Sequence, residues 1–169
     1  MNKAKIFLMI LIVGTMTQYA FSEDENVFHR GGVIISAEYQ SILPSCNSYP
    51  HLKYPQGVFE YCIWKNVSLA MGVGYGSRNR GGYLRKENEL SLESSIFQNF
   101  RISGNSVKGI MGIGLVWIPN LKTVSIKPTF GIRFLIARKV AIHAKIFYLK
   151  TSDMDIGLGF AYGLGFALK

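Results

Sequence analysis

The chain predicts an all-β fold, an eight-stranded antiparallel up-and-down transmembrane barrel, and three observations predict it. The last stretch, Ile156 to Leu168, alternates large apolar residues (Ile156, Leu158, Phe160, Tyr162, Leu164, Phe166, Leu168) with Gly or Ala. A period of two is the signature of a strand, whose successive side chains point to opposite faces. Seven earlier segments repeat that alternation, and none after residue 22 shows a convincing helical period. Finally, Glu38, Glu60, Glu93, Lys108, Lys127, Arg133 and Lys145 sort onto one face, opposite the large apolar residues.

The start of the chain reads as a separate unit. Lys3 and Lys5 precede a short apolar core from Ile6 to Val13, and Ala20-Phe21-Ser22 supplies small residues at a cleavage site. Residues 1–22 are therefore expected to be a secretory signal peptide cut after Ser22, with 23–169 forming the barrel. The apolar run is too short to cross about 30 Å of hydrocarbon as a helix. The chain is 49% hydrophobic and 17% charged, with a formal charge of +9. For an exported chain this basic excess favours anionic lipid or lipopolysaccharide phosphate over nucleic acid.

The first segment runs from Gly32 to Ile42, with Val33, Ile35, Ala37 and Tyr39 on one face and Ser36, Glu38 and Gln40 on the other. Pro44, Pro50 and Pro55 mark a loop over 43–56. The second segment, Gly57 to Trp64, sets Phe59, Tyr61 and Ile63 against Glu60 and Cys62. Lys65-Asn66 is a tight turn. The third, Val67 to Gly76, sets Val67, Leu69, Met71, Val73 and Tyr75 against Ser, Ala and Gly. A Gly-rich basic loop follows over 77–83.

The fourth segment, Leu84 to Phe97, sets Leu90, Leu92 and Ile96 against Ser91, Glu93 and Ser95, and 98–106 reads as a turn region. The fifth, Val107 to Trp117, sets Met111, Ile113, Leu115 and Trp117 against Lys108, Gly112 and Gly114. Pro119-Asn120 ends it. The sixth, Thr123 to Ile136, carries Lys127, Thr129 and Arg133 on its polar face and is weakened by Pro128, which cannot donate to a ladder. The seventh, Val140 to Leu149, places His143 and Lys145 opposite Ile142 and Ile146. The short connections then share one side with both termini, and the longer loops at 43–56 and 77–83 share the other.

Glu38, Glu60, Glu93, Lys108, Lys127, Arg133, His143 and Lys145 all fall on the face opposite the large apolar residues. A soluble lipid-binding barrel turned the other way would also sort charge like this. The glycines argue against it, because a solvent-facing strand gains nothing from Gly. A narrow lumen needs small residues to close. Charges in such a lumen must pair, since an unpaired buried charge is expensive. The expected result is a plug and not a conducting pore. Tyr39, Trp64, Tyr75, Trp117 and Tyr148 fall near strand ends, as interfacial girdle residues do.

On the signal peptide, the strand count, the alternation and the apolar last strand, the chain resembles the small eight-stranded outer-membrane barrels of Gram-negative bacteria, the class of outer-membrane proteins A and X. The resemblance covers nearly all of 23–169 and is architectural. It implies a monomer in the bacterial outer membrane, in contact with outer-membrane lipid and lipopolysaccharide. In that class the barrel-assembly machinery recognises a terminal aromatic residue; here Phe166 and Leu168 keep the alternation, but Lys169 is last.

No catalytic, metal or cofactor site is expected. His143-Ala144-Lys145 lacks a neighbouring Ser on its face, as a lipid A deacylase-like enzyme would need. Ser152-Asp153 is explained as a turn, and His29 and His51 are isolated. The remaining alternatives are a lipid-modifying outer-membrane enzyme and a soluble periplasmic lipid-binding barrel. Cys46 and Cys62 would share an oxidising compartment, where a disulfide and two separate thiols are both open. Arg78, Arg80, Arg85 and Lys86 form a basic cluster suited to lipopolysaccharide phosphates, or else a solvated loop.

Overall fold

Eight strands pair in chain order and close on themselves in a computed structural model, which describes residues 28, 30–44, 52–79, 86–104, 106–119, 122–136, 139–150 and 155–168. They are β1 (Val33–Pro44), β2 (Leu52–Trp64), β3 (Val67–Asn79), β4 (Lys86–Ser103), β5 (Val107–Ile118), β6 (Thr123–Ile136), β7 (Val140–Lys150) and β8 (Asp155–Leu168). Every neighbouring pair is antiparallel, and β8 closes against β1 from Val33 paired with Leu168 to Pro44 paired with Gly157. No strand edge is left open.

The register is staggered around the ring. Met111 pairs with Phe130, then the path runs through Ile146, Phe160, Ser41, Lys53 and Ser77 to Asn88. Met111 pairs on its other side with Gln98. The circuit thus returns to β4 well displaced from where it left, which is the shear that tilts strands in a closed barrel.

Three connections differ from the sequence expectation. β1 runs to Pro44 and β2 begins at Leu52, so the expected loop over 43–56 gives up its first two and last five residues to strands. Pro55 is tolerated because the β2–β3 ladder passes from Lys53–Ser77 to Gln56–Gly74 without a rung at that residue. Pro128 sits in a matching gap, between the Ile126–Lys150 and Thr129–Phe147 rungs of β6 and β7. β3 extends into the expected basic loop, pairing Ser77, Arg78 and Asn79 with Asn88, Glu87 and Lys86, and β4 begins at Lys86, two residues after the expected Leu84.

The third difference corrects the longest turn. Residues 98–101 are strand, with Gln98, Asn99, Phe100 and Arg101 paired to Met111, Ile110, Gly109 and Lys108. The β4–β5 connection therefore shrinks to Gly104 to Ser106, with Gly104 at φ 51°. Asn66, at φ 64°, performs the same left-handed reversal between β2 and β3, a conformation that Asn tolerates better than most residues. All connections at this end are now short, which removes the one irregularity in the expected topology.

The outer face is apolar around the circumference. Ile35, Phe59, Met71, Leu115, Phe130, Ile146, Phe160 and Leu164 are among the exposed large hydrophobic side chains. An exposed apolar surface of this extent has no place in water and matches a hydrocarbon belt. The inward face is a filled lumen, with apolar layers toward both ends. Phe28, Ile34, Cys62, Leu135 and Ala141 close the end that carries the short turns. Ile42, Leu52, Tyr54, Ile118, Phe147 and Leu149 pack toward the longer loops.

Candidate functional site

Between those layers lies a set of charges carried on inward positions of six strands. Glu60 on β2 meets Arg133 on β6 in a two-pronged ion pair, with Nη2 2.6 Å from Oε2 and Nη1 3.1 Å from Oε1. The planar guanidinium fork matches a carboxylate in this geometry. Ser68 donates to Glu60, and Arg133 Nη1 also donates to Asn99 Oδ1 at 3.1 Å. The Arg133 guanidinium stands over the Phe28 ring, 5.1 Å from its centroid.

A second group joins Glu38 to β7. Lys145 Nζ lies 2.6 Å from Glu38 Oε1, and His143 Nε2 lies 3.0 Å from the same oxygen. The histidine approach is close but not aligned as a hydrogen bond. A third group centres on Glu93, which accepts from Lys127 Nζ at 2.7 Å, Gln56 Nε2 at 2.9 Å and Ser95 Oγ at 2.8 Å. Lys127 also donates to Gln40, which accepts from the Tyr54 hydroxyl as well.

The structure thus brings together seven of the eight lumen residues singled out in the sequence, in three separate groups. Lys108 is buried as well, on the rung where β5 pairs with Arg133 of β6. Gln40 and Ser68 stand on the expected inner face without having been singled out as lumen partners, and the sequence did not place Gln56, Tyr54, Glu89, Asn99 and Phe28, all buried on the inner side. Tyr54 and Gln56 fall in the loop expected over 43–56, and Asn99 in the turn expected over 98–106. Continuing the alternation of β2 and β4 through those stretches places all three inward.

Glycine makes room for these long side chains. A Cβ at Gly72 would collide with Gln56, one at Gly74 with Tyr54, and one at Gly159 with Phe147. At Gly163 it would come within 2.7 Å of His143 Nε2 and 2.9 Å of Glu38 Cγ. The bare face of β3 and β8 therefore makes room for the long inward side chains of the strands paired with them.

The other sequence candidates are placed only in part. Arg78 and Lys86 stand on ladder rungs at the loop end, while Arg80 and Arg85 lie outside the described residues. Cys62 is buried in the layer with Phe28, and Cys46 lies outside the described residues, as do His29, His51 and Ser152-Asp153. Among the described residues no cluster of His, Cys, Asp and Glu could hold a metal ion.

The same barrel occurs in solved structures of low sequence identity. The N-terminal β-barrel domain of Pseudomonas aeruginosa OprF matches with a TM-score of 0.58 at 14% identity, over 82% of this chain and 98% of that one. Ail of Yersinia pestis, in a phospholipid nanodisc, matches at 0.56 and 13% identity, over 82% of this chain and all of that one. Neisserial surface protein A matches at 0.53 and 15% identity, over 82% and 96%. The fold is the small eight-stranded outer-membrane barrel. Its apolar outer belt and charged, filled lumen suit a barrel that spans a membrane. No family model and no curated protein matches the sequence, and identities this low carry the fold without the activity.

Proposed function

We propose that this outer-membrane barrel is non-enzymatic and non-conducting, a rigid scaffold that presents its longer loops to anionic lipopolysaccharide. The observation that carries the reading is the lumen. Glu38, Glu60 and Glu93 each hold a cation of a facing strand at 2.6–2.7 Å, between apolar layers toward both ends. Eight strands leave room for side chains and little else, and ion pairs of this kind lock those side chains in place. The reading includes export as a precursor cut after Ser22 and a monomeric mature chain.

The lipopolysaccharide contact rests on charge. Arg78, Arg80, Arg85 and Lys86 cluster in sequence at the loop end, and Lys53, Lys122 and Lys150 are exposed at that end. Multiple Arg and Lys contacts suit phosphate. A surface role is also consistent with the descriptions of Ail, an attachment invasion locus protein, and of the neisserial surface protein.

Two measurements test the proposal. Purified full-length mature protein in planar bilayers should give no unitary conductance steps, and steady open-channel currents would overturn the closed-lumen reading. Folded protein should bind lipopolysaccharide in a salt-sensitive way, because screening shortens to about 3 Å at 1 M salt. A variant with Ala at Arg78, Arg80, Arg85 and Lys86 should lose most of that binding. Unchanged affinity would reduce the cluster to a solubility feature.

A further inference from the structure

The end that carries the short turns holds a charge pattern of one sign. Arg30 precedes β1, Lys65 lies in the β2–β3 turn, Arg101 lies near the β4–β5 turn, and Lys139 lies in the β6–β7 turn. Arg30, Arg101 and Lys139 are exposed and Lys65 is half-buried. Among the described residues no Asp or Glu joins them. Glu38 and Glu60 are enclosed in the lumen, and Glu87, Glu89, Glu93 and Asp155 lie toward the longer loops.

These cations border the lipid-facing belt. Trp64, 72% exposed, is the residue before Lys65, and Ile102, 52% exposed, is the residue after Arg101. Ile136, also 52% exposed, ends β6 just before the turn that holds Lys139. An aromatic or aliphatic side chain in hydrocarbon with a cation beside it is the arrangement that sets Lys and Arg at headgroup level. Basic residues at a membrane surface attract anionic lipid, and the attraction decays within a Debye length.

We infer that the cations at the short-turn end form a headgroup-binding ring selective for anionic glycerophospholipid, of the phosphatidylglycerol type, in the leaflet that meets those turns. The inference rests on the membrane-spanning reading and adds a second lipid contact, at the opposite rim from the lipopolysaccharide contact. The adjacency to the apolar belt selects a lipid over a soluble polyanion, because only a headgroup arrives already anchored beside Trp64 and Ile136. One competing occupant is the chain itself. Glu23, Asp24 and Glu25 precede Phe28 in sequence and lie outside the described residues.

The test uses the full mature chain in phosphatidylcholine bilayers with traces of spin-labelled phosphatidylglycerol or phosphatidylcholine. Electron paramagnetic resonance reads the fraction of each lipid immobilised at the protein. The wild type should prefer phosphatidylglycerol several-fold, and 1 M salt should remove most of that preference. A variant with Gln at Arg30, Lys65, Arg101 and Lys139 should lose it, while exchanging Lys and Arg at the same positions should keep it. A variant with Gln at Lys53, Lys122 and Lys150, at the other end, should keep it too.

Unchanged preference in the first variant, or loss only in the loop-end variant, would overturn the inference. So would a preference that appears only when Glu23, Asp24 and Glu25 are replaced by Gln, since the ring would then be occupied by the chain's own acids. Absence of any immobilised lipid in the wild type would overturn the membrane reading itself.

Discussion

Arg133 shows what a single lumen residue does. Its guanidinium holds Glu60 by two bonds, reaches Asn99 and covers Phe28. Truncating it leaves a buried carboxylate without its cation, and breaking one partner of a buried pair costs about 3–5 kcal/mol. Arg133→Ala should therefore lower the urea-unfolding free energy in detergent by about that amount, and Arg78→Ala by much less. Replacing both partners, Glu60→Leu with Arg133→Met, should recover a large part of the loss, because no lone charge remains. Equal, small losses for the two arginine variants would mean that the lumen charges are solvated. A glycine carries the complementary lesson: Gly74→Val would drive a branched side chain into Tyr54, and should destabilise the barrel despite the higher strand propensity of Val.

At the scale of the element, β8 and β4 make opposite points. From Gly157 to Leu168, β8 has large residues outside and Gly or Ala on the other face, and its exposed Phe160 and Leu164 face the belt. Phe160→Arg or Leu164→Arg should cost about 2–4 kcal/mol in lipid vesicles if the site lies near the midplane. A cost no larger than that of a loop substitution would reverse the face assignment. β4 breaks the simple pattern, since Phe97 turns inward while Ser94 faces outward. Its continuation through 98–101 is held by the ladder to β5, while the in–out alternation carries on with Phe97 and Asn99 inward. Amide exchange over 98–101 should be as slow as over 92–97; fast exchange there would restore the turn.

At the scale of the molecule, closure explains why charge belongs inside. A sheet with one apolar and one polar face hides the polar face from lipid only by closing on itself, and closure also satisfies every strand edge. The protein should stay with the membrane fraction after an alkaline wash, and should migrate differently on a gel with and without boiling. Release into the soluble fraction would favour a soluble lipid-binding barrel, which needs its apolar face turned inward.

The eight strands, their inward and outward faces and the gathering of charge on the inner face are legible from alternation alone, because side chains of period two must sort by environment and lipid accepts no charge. Elements with clean alternation, such as β7 and β8, were read to within a residue of their bounds. Where prolines or mixed polarity interrupt the pattern, as at Pro55 and Gln98-Asn99, alternation gives the face but the neighbouring strands set where the strand ends, since a backbone rung depends on the partner's position and not on local side chains. The same holds for the lumen. Glu38, Glu60 and Glu93 were marked as charges in need of partners, but their pairing with Lys145, Arg133 and Lys127 was set by the stagger of the closed barrel. Shear is a property of all eight ladders together, so no segment read alone contains it.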